Sequence, residues 1–310
     1  MEKIKTKKLN IGQIGTLKIN IPIVSSGAGK KRIVILCGIH GDEKSGLFVV
    51  HRLLKDLKDI EGKIDIILAA NPLAQSLGMR VSPNDFHNLN RIFPGNKNTD
   101  FSRRLANKIF NFCKGADAVI DLHTFQDNAP IVAIFVNSGN EIIKKKCLEL
   151  INVFNPQAIW KVNFESAEES KFSGALGSVL AVHEIVNFAV EMPEVFSIND
   201  EQLDQVKNGL LRVLGFLGFV KISRNNSERA LAVPIFQRIK VRTNEAGLFI
   251  PIKSILKKIR KGEIVGRLVS LPDFKVKKVV SPCHGILLII KSRDLVATGD
   301  VLFSIGQSEQ

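Results

Sequence analysis

The chain has 310 residues, 45% hydrophobic and 24% charged, and carries a formal net charge of +14. That length is more than one compact core needs and predicts two domains, while the composition is that of a soluble globular protein. The excess charge does not define a nucleic-acid binder, because the lysines are scattered and, with 6% aromatics and no Tyr, there is no stacking platform for bases. Its expected use is a solvated surface with some attraction for anionic substrates. The opening MEKIKTKK is not followed by the apolar run of a secretory leader, and no segment is long and apolar enough to span a bilayer. A cytoplasmic protein with neither nucleic acid nor membrane as partner is expected, and a homo-oligomer is allowed. Cys37, Cys113, Cys147 and Cys283 form no CxxC pair, so buried thiols are expected rather than disulfides or a zinc knuckle.

Residues 4–24 alternate around Gly12 and Gly15 and predict a leading β-hairpin. RIVILCGI (32–39) is a β-branched run suited to a strand covered on both faces. Helical periodicity follows from Lys44 to Leu57, then a buried strand in DIILAANP (65–72), stopped by Asn71-Pro72. The polar stretch 73–100 is too long for an ordinary connection and predicts a functional loop. A helix over 101–114, strands over 117–124 and 131–137, a helix over 141–154, irregular chain over 162–175, a strand over 187–194 and a helix over 200–219 complete this region. Apolar strands alternating with helices predict an α/β sheet domain. The turn-rich KISRNNSERA (221–230) reads as a linker. Beyond it, short strands punctuated by Gly and Pro predict a smaller all-β unit. The expected division is 1–225 and 226–310.

Three polar sites follow predicted strands: His40 with Glu43, His123, and Glu191. In an open α/β sheet, that edge is where ligands bind. Two imidazoles and one carboxylate are a catalytic zinc set, with a fourth position left for water. Singly, each residue is weak evidence. A lone His at a strand end is more often a hydrogen-bonding residue, and His-x-x-Glu is common by chance. Asp121 precedes His123 by two and shares its strand face, so it is either a hydrogen-bonding partner of a ligand or an ordinary strand-end acid. Asp85 and His87 receive no catalytic role, and His51, His183 and His284 read as structural.

The surroundings are more specific. GIHGDE (38–43), DLHT (121–124) and NPLAQSLGMRVSPNDFHNLNRIFPG (71–95) together resemble the succinylglutamate desuccinylase/aspartoacylase family, within the zinc-carboxypeptidase-like group. The resemblance covers most of the chain. It implies a mixed-sheet zinc-carboxypeptidase-like catalytic domain and a C-terminal β-barrel of biotinyl- or lipoyl-carrier type. It implies one Zn²⁺ per chain held by His40, Glu43 and His123, Asn90 and Arg91 holding a substrate carboxylate, and Arg80 directed at the scissile carbonyl. Glu191 is the candidate general base, with Glu194 and Glu184 competing. The family often places Gly two residues after this Glu, where this chain has Pro193. The implied reaction is hydrolysis of the C–N amide of a small, anionic N-acyl amino acid or related N-acyl amine, through metal-activated water. A carboxypeptidase acting on short peptides and a degenerate anion binder are the alternatives, and ester bonds are also within reach of this chemistry. Lys275 is the nearest candidate for a carrier lysine, but its flanks are wrong, so an unmodified structural or site-covering role is expected for the C-terminal unit.

Overall fold

The computed structural model describes residues 4–125, 127–167, 169–221 and 235–308. The predicted linker therefore lies, beyond Lys221, outside the described residues. β1 (Lys5–Ile14) and β2 (Leu17–Ala28) form the leading hairpin. β3 (Arg32–Cys37), α1 (Ser45–Asp56) and β4 (Gly62–Ile67) follow. β4 starts and stops earlier than its sequence suggests, because Asn71-Pro72 opens a helix rather than merely ending a strand.

That helix, α2 (Pro72–Leu77), was not expected. The Asn71 side chain caps Ala74 N, Pro72 occupies the first turn, and Gly78 closes it in the left-handed region. After α3 (Phe101–Cys113) come β5 (Ala118–Thr124), β6 (Val132–Val136), α4 (Glu141–Phe154) and β7 (Ala158–Val162). α5 (Leu176–Val182), β8 (Asn187–Met192) and α6 (Asp200–Phe216) complete the first unit. Of the stretch expected to be irregular, Val162 ends β7 and Glu169–Gly174 forms a 3₁₀ turn.

β4, β3, β5 and β8 run parallel at the centre, and β6 joins β8 antiparallel. One face packs Val49, Leu53, Leu150, Phe154, Val206 and Leu210 of α1, α4 and α6 against Ile33, Ile35, Ile120 and Val190. The other packs Leu105, Ile109, Leu176 and Leu180 of α3 and α5 against Val34, Leu36 and Val119. Both faces are apolar because helices cover both, and each fully buried Ile, Leu or Val stabilises by about 1.5–3 kcal/mol. One buried polar residue among them is Asp65 of β4, fully buried, which accepts from Arg32 Nε at 2.7 Å, Lys63 Nζ at 2.9 Å and Ser25 Oγ, and so ties three strands together.

The C-terminal unit is all-β: β9 (Ile235–Arg242), β10 (Gly247–Pro251), β11 (Lys258–Ile259), β12 (Ile264–Val269), β13 (Val276–Val280), β14 (Gly285–Ile290), β15 (Asp294–Val296) and β16 (Val301–Ser308). Four of its strands form an antiparallel sheet in the order β13-β12-β10-β15. The others continue the sheet of the first unit, because β9 pairs parallel with β7 at Ile159↔Ile235 and Trp160↔Phe236 and leads on to β16, β14 and β11. A bulge in β14 lets adjacent residues serve two cores. Leu287 and Ile290 join Phe249, Phe303 and Ile305 inside the C-terminal unit, while Leu288 and Ile289 reach across to Val132, Ile134 and Trp160. Lys275 lies on the β12–β13 hairpin, 79% exposed along its side chain and 3.0 Å from Asp273.

A candidate metal centre at the C-terminal edge of the strands

The chain leaves β3 into a turn that the sequence prepares. Gly38 has φ +73°, where Gly costs least. Gly41 has another task, since a Cβ there would lie 2.0 Å from the backbone of Ala74. Its N–H donates to Met79 O at 2.9 Å. The capped α2 thus presses against the turn and holds His40 and Glu43 inward.

Register places the remaining groups. Cys37 is level with Leu122, and His123 is level with Glu191, so the ends of β3, β5 and β8 lie side by side. Asp121 and His123 share a strand face, and Val190 joins the helix-packed core opposite Glu191. Ser45, at the start of α1, donates to Pro193 O at 2.8 Å. The proline that departs from the family pattern thereby ties the end of β8 to the helix that follows Glu43.

His40, Glu43 and His123 are buried, and one donor atom from each lies within 4.8 Å of the others. His40 Nδ1 is 2.7 Å from Glu43 Oε1, and His123 Nδ1 is 2.8 Å from Glu43 Oε2. The outward ring nitrogens are held as well. His40 Nε2 lies 3.1 Å from Asn88 Oδ1, and His123 Nε2 lies 2.7 Å from Asp121 Oδ2. This is the pattern of metal-ligating histidines, in which the second nitrogen is fixed by an outer acceptor and the first is left to the ion. The donor set fits a divalent cation. Asn88 was not singled out in the sequence, since it is uncharged and 48 residues from the histidine it orients.

Arg80 donates to Glu43 Oε1 at 2.7 Å, and Thr124 N donates to Oε2 at 3.1 Å. Burial acts to raise the Glu43 pKa, but His123 and His40 outweigh it and hold it well below the usual value. Burial acts to lower that of His123, yet Asp121 and Glu43 drive it well above normal. At His40 burial wins over Glu43, and its pKa is lowered.

Asn90 Oδ1 accepts from Leu176 N at 2.9 Å, and its Nδ2 lies 3.5 Å from His123 Nε2. Arg91 donates to Asn90 O at 2.6 Å and stacks on Phe172 at 4.3 Å. Burial first, and then Arg80, lower the Arg91 pKa, while Glu191 acts the other way. Glu191 is half-buried, with Oε2 enclosed and unpartnered among the described residues. Its pKa is pushed up to about 7 by burial and then by Glu43, against His123, Arg80 and Arg238. Of its competitors, Glu184 precedes β8 at the opposite end of the strand and accepts from Asn140. Glu194 is half-buried and lies within 3.4 Å of Ser197 Oγ.

Asp85, His87 and Asp100 also approach one another, but their atoms are taken. Asp85 accepts from Ser102 N and Oγ, Asp100 from Arg103 N and its guanidinium, and His87 from Arg103 Nη1 at 3.1 Å. This is a clasp joining the long loop to α3. His183 packs on the Phe110 ring at 4.9 Å. Among the described residues, no helix is long and apolar enough to cross a membrane.

The α/β fold is similar to that of a solved metallo-carboxypeptidase from Burkholderia cenocepacia, which superposes with a TM-score of 0.54 at 15% identity, over 67% of this chain and 63% of that one. More narrowly, residues 29–217, over half the chain, match the succinylglutamate desuccinylase/aspartoacylase catalytic domain, and the chain belongs to that family. In sequence it is 29% identical over 200 residues to the N-alpha-acetyl-L-2,4-diaminobutyric acid deacetylase of Halomonas elongata, spanning 61% of this chain and 57% of that relative. It is 33% identical over 105 residues to a probable aspartoacylase of Prochlorococcus marinus, spanning 32% of this chain and 35% of the relative. The match thus covers less than two thirds of either relative's length. In structure it resembles a product-bound ectoine utilization protein of Ruegeria pomeroyi, with a TM-score of 0.84 at 20% identity over 99% and 95% of the two chains. It also resembles a succinylglutamate desuccinylase/aspartoacylase of Rhodobacter sphaeroides, with a TM-score of 0.83 at 20% identity over 100% and 97%.

Proposed function

We propose that the protein is a zinc-dependent deacylase that hydrolyses the amide of a small, anionic N-acyl amino acid or N-acyl amine in the cytoplasm. The observation that carries this reading is the His40–Glu43–His123 cluster, with both outward ring nitrogens fixed, beside an enclosed carboxylate. Zinc suits two imidazoles and one carboxylate. Held there, it would supply Lewis acidity toward the carbonyl and lower the pKa of water. The names of the similar deacetylase and aspartoacylase support an N-acyl amino acid as substrate.

The chain's own groups divide the remaining work. Arg91 presents a planar fork to a substrate carboxylate, with Asn90 beside it. Arg80, 43% exposed along its side chain and anchored on Glu43, offers fixed positive charge to the oxygen that becomes negative as the carbonyl is attacked. Glu191 takes the proton from the attacking water and delivers it to the departing amine. A base poised near neutrality is suited to both transfers.

The test is a panel of N-acetyl and N-succinyl amino acids and short peptides, assayed with zinc, with chelator, and after zinc is restored. Expected is amide cleavage of small N-acyl amino acids that chelation abolishes and zinc restores. Tight zinc binding without cleavage of any compound refutes the enzymatic reading, and preferred cleavage of peptides moves the assignment to a carboxypeptidase.

A further inference from the structure

Apart from the metal cluster, α1 and α6 enclose an open groove of about 570 Å³. Its walls are apolar: Phe48 of α1, Leu203 of α6, and Val195 and Ile198 of the turn between β8 and α6. Phe48 is 49% exposed, and Phe196, lying between the two lining residues of that turn, is 94% exposed. A single exposed apolar side chain needs no explanation. A nearly bare ring next to an open apolar groove is a knob beside a hole, and such a patch marks a contact surface. The knob is also held in place. Ser197 N and Ile198 N donate to Glu194 O at 2.9 and 2.8 Å, and Asn199 with Gln202 closes the start of α6 in a capping box. A ring carried on a fixed turn loses little freedom when it docks.

The charges around the groove differ from those of the chain at large. The whole chain carries +14. The groove is lined by three cations, Arg52, Lys55 and Lys207, and by three anions, Asp56, Asp200 and Asp204. Arg52 pairs with Asp200 and, at 3.0 Å, with Asp204, while Lys207 pairs with Asp56 at 2.8 Å and Asp204 at 3.6 Å. Two copies of a chain with a large charge of one sign repel each other in most relative orientations. A face of balanced charge escapes that repulsion. With both signs present, it can meet a copy of itself, cation to anion, about a two-fold axis. A nucleic acid or an anionic membrane would instead seek the basic surface.

We propose that this face joins two copies of the chain into a two-fold dimer, with Phe196 of each copy seated in the groove of the other. Both elements that form the face lead out of the candidate metal centre. α1 follows Glu43, the turn follows Glu191, and Ser45 Oγ donates to Pro193 O between them at 2.8 Å. Docking holds these two connections against each other.

The test is sedimentation equilibrium of the full chain over about 1–100 µM, at low salt and at about 0.5 M salt. A monomer–dimer equilibrium is expected. It tightens at high salt, because screening weakens the repulsion between two +14 chains while the contact between rings does not depend on charge. Phe196→Ser alters a ring that stands almost wholly in solvent, so folding should not depend on it. It is expected to raise the dissociation constant at least about tenfold, and Phe48→Ser, on the groove wall, to do the same. A thermal melt verifies that each variant is folded. A wild-type chain that stays monomeric throughout the range in both salts overturns the proposal. So does a dimer that dissociates at high salt, or one whose strength Phe196→Ser leaves unchanged. Assembly that grows beyond two copies also overturns it, since a closed pair leaves no groove free.

Discussion

Replacing Asp121 by Asn isolates the charge behind His123, one of the three proposed metal ligands. Asp121 Oδ2 lies 2.7 Å from His123 Nε2, in a residue only 6% exposed. Asn has the same shape, so the contact survives while the charge leaves. Two effects then oppose each other. The carboxylate makes His123 a stronger ligand, and losing such an outer partner costs about 10–100-fold in metal affinity, or roughly 1.4–2.7 kcal/mol. Burial acts to lower the His123 pKa, but Asp121 and Glu43 raise it well above normal, so a proton competes with the metal. Below that pKa, apparent affinity falls about tenfold per pH unit. The substitution lowers the pKa and relieves this competition. The defect should therefore be full in alkaline solution, where the wild-type proton leaves, and should shrink toward about pH 6, where relief offsets the weaker ligand. The assay is competition for zinc against a chromophoric chelator across that range, with a thermal melt to verify folding. Unchanged affinity in alkaline solution, or a defect that grows as the pH falls, refutes the reasoning.

Glu191→Gln should keep zinc and lose about 10²–10⁴-fold in kcat; a retained rate would move the base to another group. With Glu191 as base, kcat/KM falls as pH drops through its pKa. That value is about 7 without a cation, and a bound dication draws it lower, so zinc-loaded enzyme should show its acid limb below neutrality. The folded pKa of Asp65 is lowered, because bonds from Ser25, Arg32 and Lys63 outweigh burial. Its contribution to stability is thus complete above the ordinary carboxylate range and is lost as pH falls through the lowered value. Asp65→Asn should cost about 1.5–3 kcal/mol near neutrality and far less in strong acid, read from urea unfolding across pH. Gly41→Ala places a Cβ 2.0 Å from Ala74, so the turn must shift. A lowered Tm together with weaker zinc binding is expected, whereas a lowered Tm with unchanged zinc affinity would show that the turn does not position His40 and Glu43.

The strands that carry the site were legible because their apolar runs end abruptly in residues that dislike burial. His40, Glu43, His123 and Glu191 all stand at such ends. Their convergence was not legible from spacing, since it depends on β3, β5 and β8 being sheet neighbours. The resemblance supplied that step. β7 escaped notice because five residues, Ala158–Val162, give too short a pattern to separate strand from loop. α5 escaped for the same reason, with seven residues and no side-chain cap. α2 carries readable signals in Asn71, Pro72 and Gly78, but Asn-Pro can end a strand or open a helix with the same residues, so the pair alone does not announce the helix. Nothing in the local pattern of β9 announces that it pairs with β7, because a parallel partner can come from anywhere in the chain.

That pairing makes the last third of the molecule hard to treat as a detachable module. Ending the chain after α6 would strip β7 of its outer neighbour and uncover Trp160, Ile134 and Val132 where Leu288 and Ile289 now lie. An open edge with an oily flank recruits strands from other molecules, so a truncated catalytic fragment would tend to precipitate, whatever its metal does.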